Sequence, residues 1–332
     1  MSRFLAVHAA CQRLLHAILP SRYPHHDRTQ GSSASVRLNK RQERRASHVG
    51  SLPLGIYFHD GDAVSLVWAK VEAGQIVVLQ TVHVPFSESD TERKNQSCTK
   101  ILLDIVRERQ IPERRCVIGI HPTDIATRPI EVVRGMTQKQ LHGNALLESG
   151  RMVPFPEEER VLAIDPIPGE HAYRMLSVAK KSEVDRLQRI VADAALVPHA
   201  IDGPLAAWAR LCPDTDAVLD LSHDRPALVF FRSQTLAAGK LEELPPKMNP
   251  ERVATEVHEL LRKARQDGIK DVARMMVYGP SDIAMRVRAK LSTLDDALQI
   301  SPLVIGGIES PPWAYALALA TWEYEPPLEV AA

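Results

Sequence analysis

Cysteine is scarce in this chain and widely scattered. Cys11, Cys98, Cys116 and Cys212 form no C-x-x-C pair, so neither a zinc site nor a disulfide framework is indicated. No apolar run approaches the roughly 20 residues that cross a bilayer. The stretch 227–231 is only strand length, and 313–320 also falls well short. No G-x-S-x-G elbow, P-loop or G-x-G-x-x-G occurs, which removes the commonest serine-nucleophile and nucleotide-loop arrangements. Net charge is lacking too, since 41 basic residues balance 41 acidic ones.

That balance conceals an asymmetry. Residues 1–50 hold nine Arg or Lys against only Asp27 and Glu43, so a basic tail precedes an acidic body. Clustered Arg and Lys suit an anionic membrane surface, and nucleic acid is not the expected partner. The plainer reading is a solvated leader. Within the first twenty residues Phe4, Val7, Cys11, Leu14, Leu15 and Ile18 recur at helical spacing, as in a short amphipathic helix. With no continuous apolar core or small-residue cleavage site, this is not a secretory signal; a start codon assigned too early would leave the same kind of leader. Residues 21–50, rich in Pro, His, Ser and Arg, read as a linker.

What remains is an ordinary globular composition. With 332 residues, 45% hydrophobic and 25% charged, it has length for about two core-forming units. Strands are expected at 54–58, 63–71 and 75–85, a helix at 90–110 and a strand at 116–120. A second pattern follows: strand 127–133, a helix from the Thr137 cap to about Gly150, strands 161–167 and 173–179, and an amphipathic helix 181–194. Then the first pattern begins again, with strands 217–221, 227–231 and 235–241 and a helix 249–266 started by Asn249 and Pro250. Strand 272–278, helix 281–291, strand 298–303 and a closing helix 312–323 complete it. The expected division is therefore 1–50 tail, 51–124 first lobe, 125–201 inserted α+β subdomain, 202–325 second lobe with the closing helix, and 326–332 tail. Alternating strands and helices make this an α/β chain.

Four stretches, in order, resemble the type IV pilus assembly protein PilM family. Leu147 to Glu158 contains Val153-Pro154-Phe155-Pro156, similar to the family's I-P-F-P turn. Val117-Ile118-Gly119-Ile120-His121-Pro122 leads into Thr127-Arg128-Pro129-Ile130-Glu131, similar to T-R-x-I-E. Ser177 to Val184 resembles V-A-A-R-K-E-V, and Ala194 to Asp202 resembles A-G-L-K-P-x-A-V-D. The likeness spans about residues 52–325. The cytoplasmic domain of the type II secretion protein GspL, which has a similar fold, is the alternative resemblance.

The resemblance implies an actin-like, ribonuclease H-like duplicated two-lobed fold. It also implies a cytoplasmic location peripheral to the inner membrane. Its expected partner is the N-terminal cytoplasmic segment of a PilN-like bitopic protein. That segment would lie in a groove between the inserted subdomain and the first lobe, walled by Thr127, Ile130, Val132, Val153 and Phe155.

Three loops depart from the family. Where it has D-I-G-S-S-S this chain has Tyr57-Phe58-His59-Asp60-Gly61-Asp62, and bare carboxylates repel phosphate. The second loop is Asp220-Leu221-Ser222-His223-Asp224-Arg225-Pro226, in which Asp220 remains, Ser222 replaces glycine and Pro226 removes a backbone donor. The adenosine loop keeps only Gly279. The expectation is a non-catalytic scaffold without a cofactor, with Asp220 and Gly279 as remnants of a nucleotide site. The rival is an active ATPase or sugar kinase using ATP and Mg²⁺, and a third reading is a filament-forming actin relative. His25, His26 and His121 lack metal-ligand spacing, and Glu157-Glu158-Glu159 reads as a solvated turn. Trp313, Tyr315, Trp322 and Tyr324 read as core packing, or as a docking surface where exposed.

Overall fold

The computed structural model describes residues 50–323, apart from 60–62, 73–74, 86–90, 168–169, 213–214, 223–224, 233–234, 245–248 and 267–271. The basic tail, Asp60, Asp62, His223, Asp224 and Tyr324 therefore lie outside the described residues.

The first lobe opens with β1 (Leu54–His59), β2 (Ala63–Glu72) and β3 (Gln75–Pro85), paired antiparallel. Helix α1 (Thr91–Glu108) returns the chain to β4 (Arg115–Gly119), parallel to β1. β1 is apolar almost throughout because both faces of this sheet are covered, as parallel pairing with crossover helices requires. The lobe is completed much later by α3 (Lys181–Asp193) and β8 (Val197–Asp202), which pairs parallel to β4 and gives the order β3-β2-β1-β4-β8. Val184, Leu187, Ile190 and Val191 of α3 enter the same core as Leu102 and Ile105 of α1.

This corrects the expected 125–201 subdomain. Residues 181–201 belong to the first lobe, and the insertion ends at residue 180. Local periodicity showed the helix and strand but could not show which sheet they complete.

The insertion holds β5 (Ile125–Glu131), α2 (Gln138–Met152), β6 (Arg160–Ile167) and β7 (Glu170–Lys180), with strand order β5-β7-β6. Thr137 starts α2 as the sequence indicated. Its hydroxyl accepts from Gln140 N, and Gln140 Oε1 accepts from Thr137 N at 2.8 Å. This reciprocal cap satisfies two amides at the helix start. α2 covers one face of the small sheet over Ile130, Leu176 and Val178. The opposite face contributes Val161, Ala163 and Ala179 to the first-lobe core.

After α4 (Pro204–Leu211), the second lobe repeats the first: β9 (Ala217–Asp220), β10 (Ala227–Arg232), β11 (Thr235–Glu243), α5 (Pro250–Gln266), β12 (Arg274–Tyr278), α6 (Ser281–Leu294) and β13 (Gln299–Pro302). Its order β11-β10-β9-β12-β13, with two antiparallel then two parallel pairings, copies that of the first sheet. Asn249 Oδ1 accepts from Arg252 N at 2.8 Å, the expected N-cap. A small hairpin, β14 (Val304–Ile305) with β15 (Ile308–Glu309), precedes α7 (Ala314–Ala320). α7 is shorter than the expected 312–323, continuing only as a 3-10 turn over Thr321–Glu323.

Two helices cross between the lobes. α4 leaves the first sheet and packs on β10 and β11, whereas α7 leaves the second sheet and packs on β1, β2 and β4. They also touch each other. α7 comes so close that a Cβ on Gly55 would stand 1.7 Å from the Ala316 carbonyl oxygen. A backbone atom cannot move aside as a side chain can. Gly55→Ala is therefore expected to destabilise the fold by about 3 kcal/mol, the upper range for overpacking, read from the urea midpoint. A midpoint equal to the parent's would refute the close approach.

Candidate functional site

The remnant nucleotide residues lie together at the ends of β9 and β12, where Tyr278 pairs with Asp220 and Leu221 N donates to Tyr278 O at 2.7 Å. Asp220 is only 2% exposed. Its Oδ1 accepts from Ser222 N at 2.9 Å and from the Ser222 hydroxyl. Such a turn satisfies the carboxylate with its own chain. Burial, followed by the Asp220 carboxylate, pushes the Tyr278 phenol well above its ordinary range.

Gly279 has φ +143°, and a Cβ there would meet Leu221 Cβ at 2.6 Å. Packing against Leu221 thus demands this glycine without any phosphate. Pro226 is buried and has no amide to offer an anion.

At the corresponding end of the first lobe the structure assembles a group that sequence reading missed. Ser65 is fully buried. Its hydroxyl is 2.8 Å from His59 Nε2, 2.9 Å from His83 Nδ1 and 3.1 Å from the Pro312 carbonyl oxygen. The hydroxyl donates to that carbonyl and faces one nitrogen of each ring. It ties the segment leading into α7 to β1, β2 and β3. The three residues come from separate strands, so their spacing held no signal. Burial pulls the His83 pKa below its ordinary value of 6.5.

Between the two strand ends runs a line of aromatic rings. Tyr57 meets Tyr315 edge-on at 4.3 Å, Tyr315 lies 5.5 Å from Trp208, and Trp208 lies 5.0 Å from Tyr278. Each separation falls within or close to the favourable range for aromatic pairs. Tyr315 and Trp322 are therefore core residues, and the docking reading does not apply to them. Beside the rings Arg210 pairs with Asp202, both almost fully buried, and Arg210 Nη2 also donates to the Ala318 carbonyl at 3.2 Å. Nearby, burial pushes the Cys212 thiol up to about 12, which leaves it a packing residue.

The five groove residues do not form one wall. Ile130 is 3% exposed beneath α2, and Val132, Val153 and Phe155 pack half-buried around the same small core. Thr127 lies on the other face of the sheet, its hydroxyl 3.4 Å from Ser177 Oγ. Strand alternation separates residues 127 and 130. The turn between them and β6 is nevertheless built as a unit: Arg160 Nε donates to the Phe155 carbonyl at 2.8 Å and Nη1 to Ser149 Oγ at 3.3 Å. Among the described residues no cluster of three or more His, Cys, Asp or Glu could hold a metal ion, and no helix is long and apolar enough to cross a membrane.

The buried histidine makes a pH prediction. Its folded pKa is depressed, so the unfolded chain binds the extra proton first as pH falls through 6.5. This contribution is whole above 6.5 and is lost below it, down to the folded value. Urea midpoints at pH 5.5 and 7.5 should therefore differ more for the parent than for His83→Asn. An equal difference would remove His83 from the account.

No protein-family model matches the chain, and neither does any curated protein. Solved structures do. The PilM-PilN type IV pilus biogenesis complex superposes with a TM-score of 0.64 at 20% identity, over 82% of this chain and 99% of that one. The cytoplasmic domain of EpsL, an inner membrane component of the type II secretion system of Vibrio cholerae, gives 0.51 at 12% identity, covering 81% and 93%. A Bacteroides thetaiotaomicron protein with an actin-like ATPase fold and unknown function gives 0.50 at 12%, covering 80% and 95%. With two sheets of one order and crossed helices between them, this chain has the actin-like fold.

Proposed function

We propose that this protein is a non-catalytic scaffold of a type IV pilus or type II secretion-like assembly. It works in the cytoplasm, peripheral to the inner membrane, and holds the N-terminal cytoplasmic segment of a PilN-like membrane protein. The observation that carries the reading is the superposition on 99% of one chain of the PilM-PilN complex structure. Asp220 bonded within its own turn and Gly279 packed on Leu221 support the non-catalytic part.

The rim left half-open beside α2, formed by Val132, Val153 and Phe155 with exposed Val133, suits an apolar anchor of such a segment. Phe155 is its aromatic member, the residue type that dominates interface energetics.

Calorimetric titration of the full chain with a synthetic peptide of the partner's cytoplasmic segment should give saturable binding, weakened about tenfold by Phe155→Ala, the effect of losing one moderate hot spot. Titration with ATP and Mg²⁺ should give no binding that depends on Asp220. Absence of peptide binding would defeat the scaffold role. Tight ATP binding abolished by Asp220→Ala would instead favour the ATPase reading.

A further inference from the structure

We propose that the end of the first lobe where β1, β4 and β8 begin is a docking face for an acidic phospholipid bilayer. The proposal extends the membrane-peripheral reading above, but needs no protein partner.

The chain enters the fold here. Gly50 O accepts from Val71 N at 3.3 Å, Ser51 bridges to Lys70, and the Ser51 carbonyl accepts from Arg115 Nη2 at 3.1 Å. The basic run Arg41, Arg44 and Arg45 lies only five to nine residues before Gly50. Even fully extended, that is a reach of roughly 17–31 Å. A bilayer touched by this run therefore lies within that reach of this end of the lobe.

The folded surface there has matching chemistry. Two of its carboxylates are already neutralised, Glu72 by Lys70 and Glu113 by Arg115, each at 3.0 Å. Arg107, Arg109 and Arg114 are exposed, against Glu108 and Asp193. Val197, at the start of β8, is 55% exposed beside them, its amide donating to the Arg114 carbonyl at 2.7 Å. Alone this face is nearly balanced in charge. Joined to a segment with nine basic residues, it lies inside the negative surface potential of an acidic membrane, where each close Arg counts.

The test is cosedimentation of the full chain with vesicles of phosphatidylcholine alone or with about one-third phosphatidylglycerol, the source of the surface potential. Binding should require the acidic lipid and fade as NaCl rises over a few hundred millimolar. Arg107→Glu with Arg109→Glu should lower the partition coefficient at least about tenfold, at roughly fivefold per basic group removed. Lys139→Glu, on distant α2, should leave it unchanged. Matched thermal melts establish folding, and the milder Arg107→Gln with Arg109→Gln pair serves if the reversed pair melts early. Three outcomes would overturn the proposal: equal binding to neutral vesicles, full binding by the Arg107 and Arg109 variants, or an equal loss with Lys139→Glu. Displacement from acidic vesicles by stoichiometric duplex DNA would likewise replace lipid with nucleic acid as the ligand. Because the vesicles carry no protein, failure here leaves the peptide titration standing.

Discussion

The contact on which the rest of this molecule depends is the seating of α7 against β1, backbone to strand, through Gly55. That approach brings Tyr315 onto Tyr57 and within reach of Trp208, and it places the Ala318 carbonyl where Arg210 can donate to it. α7 comes from the second half of the chain and α4 from the first. Their contact therefore exchanges elements between the lobes rather than merely apposing two finished domains. The Asp202–Arg210 pair gains from this arrangement. A buried ion pair is tolerated only when its remaining donors find acceptors, and here the closing helix supplies one.

This seam has consequences for the strand ends beside it. Here the second-lobe turn folds back on itself through Asp220 and Ser222, and Gly279 is occupied by Leu221. On the first-lobe side Ser65, His59 and His83 anchor the segment that leads into α7. The Ser65 bond to the Pro312 carbonyl helps to hold the lobes in one relation.

The insertion adds a second level of organisation. Its small sheet is covered by α2 on one face and joins the main core with the other, while its strands also touch β11 of the second lobe. A segment of 61 residues between β4 and α3 thus reaches both halves. Arg160 holds the turn after α2 in place, so Phe155 and its neighbours keep a defined position at the rim. Leu147, 74% exposed on α2, shows that this outer surface is not wholly polar.

Much of this was legible in the residues. Alternation and apolar runs marked the main strands, Thr137 and Asn249 marked helix starts, and the recurring strand–turn–strand opening revealed the duplication. These features are written locally, in periodicity and in side chains that reach their own backbone. Other features were decided only in three dimensions. α4 is too short for its periodicity to declare itself, and whether β8 completes the lobe or the insertion depends on which strand lies beside it. The division of Thr127 from Ile130, and the meeting of His59, Ser65 and His83, follow from strand pairing across long separations. A sequence determines which groups a segment can offer, but the identity of the group opposite is settled only when distant strands choose their neighbours.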